Sequence, residues 1–93
     1  MMNEQIDELL RKIISSIVDD DSKIEIHMTP GEHTIIINLA VAKEDTGKVI
    51  GKSGKTADAI RTLLRSIGGK INKKVILEIK DNKSFEPHPE ETR

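Results

Sequence analysis

The chain has 93 residues, a formal charge of −1, no cysteine and a single aromatic side chain, Phe85. That length suits one compact domain with a modest core, below the roughly 100–200 residues of each unit in a larger protein, and the absence of cysteine excludes disulfides and thiolate chemistry. No run approaches the roughly 20 apolar residues of a membrane span, and the N-terminus lacks the basic-then-apolar order of a secretory signal, so a cytoplasmic address without membrane contact is expected.

Ile6, Leu9, Leu10, Ile13, Ile14 and Ile17 recur at the three-and-four spacing of an amphipathic helix. This predicts a first helix over residues 3–19, with Asn3 as N-cap and Asp19-Asp20-Asp21-Ser22 as its stop. The period then changes to two. Lys23 to Met28 alternates polar and apolar residues, Thr29-Pro30-Gly31-Glu32 supplies turn chemistry, and His33 to Val41 resumes with Ile35, Ile37, Leu39 and Val41 on one face. An antiparallel hairpin follows from this pattern, with Ile36 and Ala40 making its second strand the more enclosed one.

A short helical stretch over 43–50 leads into a glycine loop. Ala57, Ile60, Leu63, Leu64 and Ile67 then predict a helix over 55–67, stopped by Gly68-Gly69 as a left-handed C-cap. Val75, Leu77 and Ile79 alternate through a last strand over 74–80. Two helices between the second and third strands form a crossover, which favours parallel pairing. The expected fold is therefore α+β in the order α-β-β-α-α-β, a three-stranded mixed sheet with three helices on one face. One domain over residues 1–81 is expected, followed by a disordered tail over 82–93, where two prolines and several charges show neither period.

The near-zero net charge hides an asymmetry. Residues 1–34 carry three basic against eight acidic side chains, whereas residues 43–70 carry seven basic against three acidic. The second segment is suited to meet an anion, and it contains Gly47-Lys48-Val49-Ile50-Gly51-Lys52-Ser53-Gly54-Lys55. Gly51-Lys52-Ser53 matches the end of a nucleotide-binding P-loop. The match fails because three residues, not four, separate Gly47 from Gly51, and two of them are the bulky Val49 and Ile50. A P-loop also follows a strand directly, and here a helical turn intervenes. The remaining reading is a tight turn between two helices, where Gly51 and Gly54 let exposed amides meet a sugar-phosphate chain at the positive end of the next helix. Lys52 and Lys55 would add charge there, with Lys48, Arg61 and Arg65 further out.

Ile50-Gly51-Lys52-Ser53-Gly54, with Ile60 six residues beyond, resembles the G-x-x-G signature of the KH-domain family, and the element order resembles its type II, prokaryotic form. More narrowly, the run from Gly47 to Ala57, followed by Ala59-Ile60-Arg61-Thr62-Leu63-Leu64, is similar to the small bacterial stand-alone KH proteins of the KhpA (YlqC) group. The resemblance spans roughly residues 3–81. It implies a type II KH-like domain that binds single-stranded RNA through the loop, clamping about four nucleotides while an apolar groove receives the bases. Gly51, Lys52, Ser53, Gly54 and Lys55 would form the clamp, Lys48 and Arg61 its surroundings, and Val49, Ile50, Ala57 and Ile60 the groove, with Ile36 or Asn38 as its far wall. It further implies an RNA chaperone or post-transcriptional regulator in the bacterial cytoplasm. Its partners would be a second copy, as a homodimer, or a second, larger KH protein.

With no aromatic side chain in the fold, stacking is absent, and one copy should bind RNA with roughly micromolar affinity. A second reading stays open: a protein-interaction and dimerisation module in which RNA contact is secondary, pointed to by an outward Ile76 and the acidic first helix. The chain is not expected to be an enzyme or to need a cofactor, a metal or a small-molecule substrate. His27, His33 and His88 lack the companions of a metal site, Asp19-Asp20-Asp21 lacks the spacing of a calcium loop, and the serines have no histidine partner.

Overall fold

The structure, a computed structural model, describes residues 2–81. The segment 82–93, with Phe85 and His88, was expected to form a tail and lies outside the described residues. Helix α1 (Met2–Ser15) buries Ile6, Leu10 and Ile14 against the sheet. It stops four residues before the predicted end, where the hydroxyls of Ser15 and Ser16 both donate to the Lys12 carbonyl, at 3.1 and 2.9 Å, and the chain tightens into a turn. Asn3, the expected N-cap, lies inside the helix. The acidic run does more than stop it: Asp21–Lys23 forms a single 3-10 turn, capped by Asp20 accepting from the Ser22 amide at 3.2 Å.

Strand β1 (Glu25–Pro30) pairs antiparallel with β2 (Thr34–Val41), setting Ile26 opposite Leu39 and Met28 opposite Ile37. Pro30 is tolerated at the end of β1 because this strand is an edge. A 3-10 turn, Lys43–Asp45, opens into the short helix α2 (Thr46–Ile50), and α3 (Lys55–Ile71) returns the chain to β3 (Lys74–Asp81). Strand β3 runs parallel to β2, with Ile35 beside Val75 and Ile37 beside Leu77, giving the order β1-β2-β3. This is the expected order α-β-β-α-α-β, and it is consistent with the type II KH-like fold that the resemblance implies.

The core is continuous from α1 through the inner sheet face to α3, and it holds Ile6, Leu10, Ile37, Leu39, Ile60 and Leu77 among its members. Leu9 and Leu63, assigned to the core by periodicity, are 44 % and 53 % exposed. Each fits the apolar spacing of its helix and is nonetheless left uncovered by the described residues. Asn38 pairs with His27 and Glu78, and Ile36 with Thr29 and Ile76, so these residues occupy the sheet face turned away from the helices. They cannot wall a groove that the helices border, and that expectation is corrected here.

Gly68 and Gly69 do not end α3 either. The helix continues to Ile71, and the left-handed residue is Asn72 (φ 59, ψ 41), a side chain that tolerates this region. Gly68 is buried, and a Cβ there would overlap the Lys73 carbonyl oxygen and lie 3.0 Å from Val75 Cγ2. Its carbonyl also accepts from the Lys73 amide at 2.9 Å. Close passage of the chain entering β3, not helix termination, explains this glycine. Gly69 has open space around it. Gly68→Ala should therefore destabilise the fold by about 1–3 kcal/mol through backbone displacement, whereas Gly69→Ala should stabilise it by about 0.5–1 kcal/mol through helix propensity. Urea denaturation of the pair checks this, and equal signs would contradict the packing at Gly68.

Candidate nucleic-acid interface

Helix α2 is five residues long and α3 begins four residues after it ends, so the chain must redirect almost at once. Gly51 takes φ 81 and ψ 173, and a Cβ there would overlap Thr56 Oγ1 and approach the Thr56 amide nitrogen to 2.8 Å. Gly54 takes φ 76, and between the two glycines Ser53 is held in the left-handed region at φ 57. Three positive φ values in four residues break the helical ladder. The Gly51 amide donates back to Gly47 at 2.8 Å and that of Gly54 to Gly51 at 3.1 Å, while those of Lys52 and Ser53 have no acceptor among the described residues. Lys52, Ser53 and Lys55 are exposed. Gly54 serves as the N-cap of α3 without a side-chain cap, leaving the positive end of a 17-residue helix open beside the two lysines.

Two other cations of the segment, Arg61 and Lys48, are engaged within the protein. Arg61 sends Nε and Nη2 to the Leu77 carbonyl at 3.3 and 3.2 Å, and its Nη1 lies 3.6 Å from Asp58 Oδ1. It thereby ties α3 to β3, at the strand edge that no other strand covers. Lys48 donates from Nζ to Asp19 Oδ2 at 2.9 Å and to Asp45 Oδ1 at 3.3 Å. For Lys52 and Lys55 no ion pair is seen among the described residues. Of the four apolar residues assigned to a groove, Val49, Ala57 and Ile60 are buried in the core, and Ile50 is 39 % exposed next to Gly51.

Asp45 was missed by the sequence reading. It is the one charged residue buried among those described, 2 % exposed, and its Oδ2 accepts from the Asp20 amide at 3.0 Å. That amide hydrogen bond holds its carboxyl below the usual carboxylate value against the opposing pull of burial, and Lys48 lowers it further. The bonds to Asp19 and then Asp45 raise Lys48 correspondingly. Nothing in the spacing marks Asp45, because its partner at Asp20 is a main-chain group 25 residues away. Since Asp45 has the lower value when folded, its contribution to stability is complete above pH 3.8 and is lost as the pH falls through the depressed value. The stability gap between the protein and Asp45→Asn should thus hold steady down to about pH 4 and close below it, as read from thermal melts at stepped pH.

His27 reaches Glu25 at 3.6 Å, and no cluster able to hold a metal ion occurs among the described residues. None of their helices is long and apolar enough to cross a membrane.

A family profile described as the KH domain of KhpA/KhpB matches residues 7–79. Among curated proteins, RNA-binding protein KhpA of Chlamydia caviae is 49 % identical over 76 residues, covering 82 % of this chain and 97 % of its own length. The protein of the same description from Clostridium acetobutylicum is 46 % identical over 72 residues, covering 77 % and 96 %. That from Borreliella burgdorferi is 42 % identical over 74 residues, covering 80 % and 90 %. No solved structure gives a significant match.

Proposed function

Because the chain belongs to the KhpA/KhpB KH-domain family, we propose that it binds single-stranded RNA by seating the sugar-phosphate backbone on the Gly51–Gly54 turn. The observation that carries this reading is the pair of amides at the exposed residues Lys52 and Ser53, which have no acceptor among the described residues, beside two lysines that form no ion pair there. The amides and the head of α3 supply directional contacts to phosphate oxygen, and Lys52 and Lys55 supply charge. Ile50 offers the first base an apolar surface at the mouth of the turn, with Val49, Ala57 and Ile60 as the floor behind it. Arg61 sets the spacing between α3 and the β3 edge. The affinity for one copy is roughly micromolar and falls with salt, since few phosphates are touched and no ring stacks on a base.

On this reading the protein acts in the bacterial cytoplasm as an RNA chaperone or post-transcriptional regulator, with tight binding reached by joining a second KH module. No catalytic step is assigned to it. Lys52→Asp combined with Ser53→Asp reverses the charge of the turn without touching a buried group. RNA binding at low salt should be lost while the far-ultraviolet circular dichroism spectrum is retained, and unchanged affinity would refute the assignment.

One observation favours self-association as well. Leu9 and Leu63 are the most exposed large apolar side chains among those described, and Leu9 borders a groove of about 360 Å³ between α1 and α3 together with Ile67 and Lys70. Acidic residues populate α1 and basic residues the C-terminal half of α3, so two copies could meet there with opposite charges facing. Light scattering should give a dimer for the protein and a monomer for Leu63→Lys; a monomer for both would remove this reading and leave RNA binding untouched.

A further inference from the structure

Resting on the reading that the Gly51–Gly54 turn takes RNA, we infer that Asp45 is the positioning residue of that turn: its buried carboxylate, with Lys48 clasped between it and Asp19, locks α2 to the segment that follows α1.

Helix α2 has five residues, a rise of about 7.5 Å, and is far below the length at which a helix holds itself. Its direction must come from outside. One anchor is Val49, fully buried in the core. Apolar contact is non-directional and leaves rotation about the helix axis weakly opposed. Hydrogen bonds oppose it strongly because they have preferred angles. Two such bonds cross from α2 to the segment after α1, from the Asp20 amide to Asp45 at 3.0 Å and from Lys48 Nζ to Asp19 at 2.9 Å, and Lys48 also donates to Asp45 at 3.3 Å, which couples the two. The clasp therefore joins chain positions 19 and 20 to 45 and 48, across the whole hairpin. Gly51 follows α2 directly, so a tilt of this short lever is passed undamped to the turn.

The acidic run is divided among these tasks. Asp19 holds Lys48, the Asp20 amide meets Asp45, and the Asp20 carboxylate caps the 3-10 turn through Ser22. Lys48, whose charge is satisfied by two carboxylates, belongs to the support of the turn and not to the phosphate-contacting set.

The test uses the full chain, a labelled short oligouridylate and the variants Asp45→Asn, Lys48→Met and Lys52→Met, well below their melting temperatures. Asp45→Asn keeps an oxygen for the Asp20 amide and removes the attraction for Lys48. It should weaken binding about fivefold and shift the amide resonances of Gly51 and Gly54, with the salt dependence of binding unchanged. Lys48→Met should act in the same direction, also without altering the salt dependence. Lys52→Met should lower the salt slope by about 0.7, the amount for one phosphate contact on a single strand. A folded Asp45→Asn with normal affinity and unmoved Gly51 and Gly54 resonances would overturn the inference. So would tighter binding with a steeper salt slope, which would mean that Asp45 restrains a latent phosphate contact at Lys48. If Asp45→Asn fails to fold, Lys48→Met decides, because it removes part of the clasp and leaves the Asp45–Asp20 bond. An oligouridylate that does not bind the unaltered protein, or a Lys52→Met slope equal to it, would count against the RNA reading instead. The resonance shifts in Asp45→Asn would still report on the positioning role.

Discussion

Two helices that share one face of a sheet and are joined by four residues have to reverse within the span of the joint, and this constraint governs the rest of the molecule. Helices α2 and α3 both contribute to the core beneath them, through Val49 on one side and Ile60 and Leu64 on the other. The chain between them can satisfy both only with positive φ angles, at Gly51, Ser53 and Gly54. Left-handed backbone cannot continue either helical ladder, so peptide groups that a longer helix would consume are left outside it. The irregular turn is thus a by-product of packing. A side chain at Gly51 would disturb it, because the space a Cβ needs belongs to Thr56.

Around that joint, charge is sorted by whether it has a partner. Lys48 and Arg61 lie within a turn or two of the glycines, yet each bonds to groups that hold elements together: Asp19 and Asp45 for Lys48, the Leu77 carbonyl and Asp58 for Arg61. A cation bonded in this way loses much of its pull on a phosphate, since a competing anion must first displace its partners. Lys52 and Lys55 stand on the solvent side of the turn, with no partner among the described residues. A buried carboxylate at Asp45 adds specificity of a kind that apolar contact cannot, because only a directional bond distinguishes one rotation of a five-residue helix from another.

Periodicity carried most of the architecture. The change from a period near three and a half to two and back located α1, α3 and the three strands, and the crossover through two helices implied parallel pairing of β2 and β3. The errors share a cause, which is that local composition was read as local structure. Gly68-Gly69 looked like a helix end and instead lies inside α3, where Lys73 passes too close for a Cβ. The first helix, expected to reach residue 19, ends at Ser15, where the chain tightens into a turn. Leu9 and Leu63 fit the apolar stripe but remain exposed among the described residues.

For the candidate site, residue types alone carried the tight turn, the abundance of lysine near it and the expectation of a helix head beside it. These follow from what glycine permits and from the order of apolar positions, both written in one dimension. Which lysine is free and which is bound was settled only in three dimensions, because Lys48 meets Asp19 across 29 positions and Arg61 meets Leu77 across 16. The role of Asp45 belonged to the same class. Its deciding partner is the main-chain amide of Asp20, and every residue but proline carries such an amide, so no side-chain pattern can announce that one of them will be waiting.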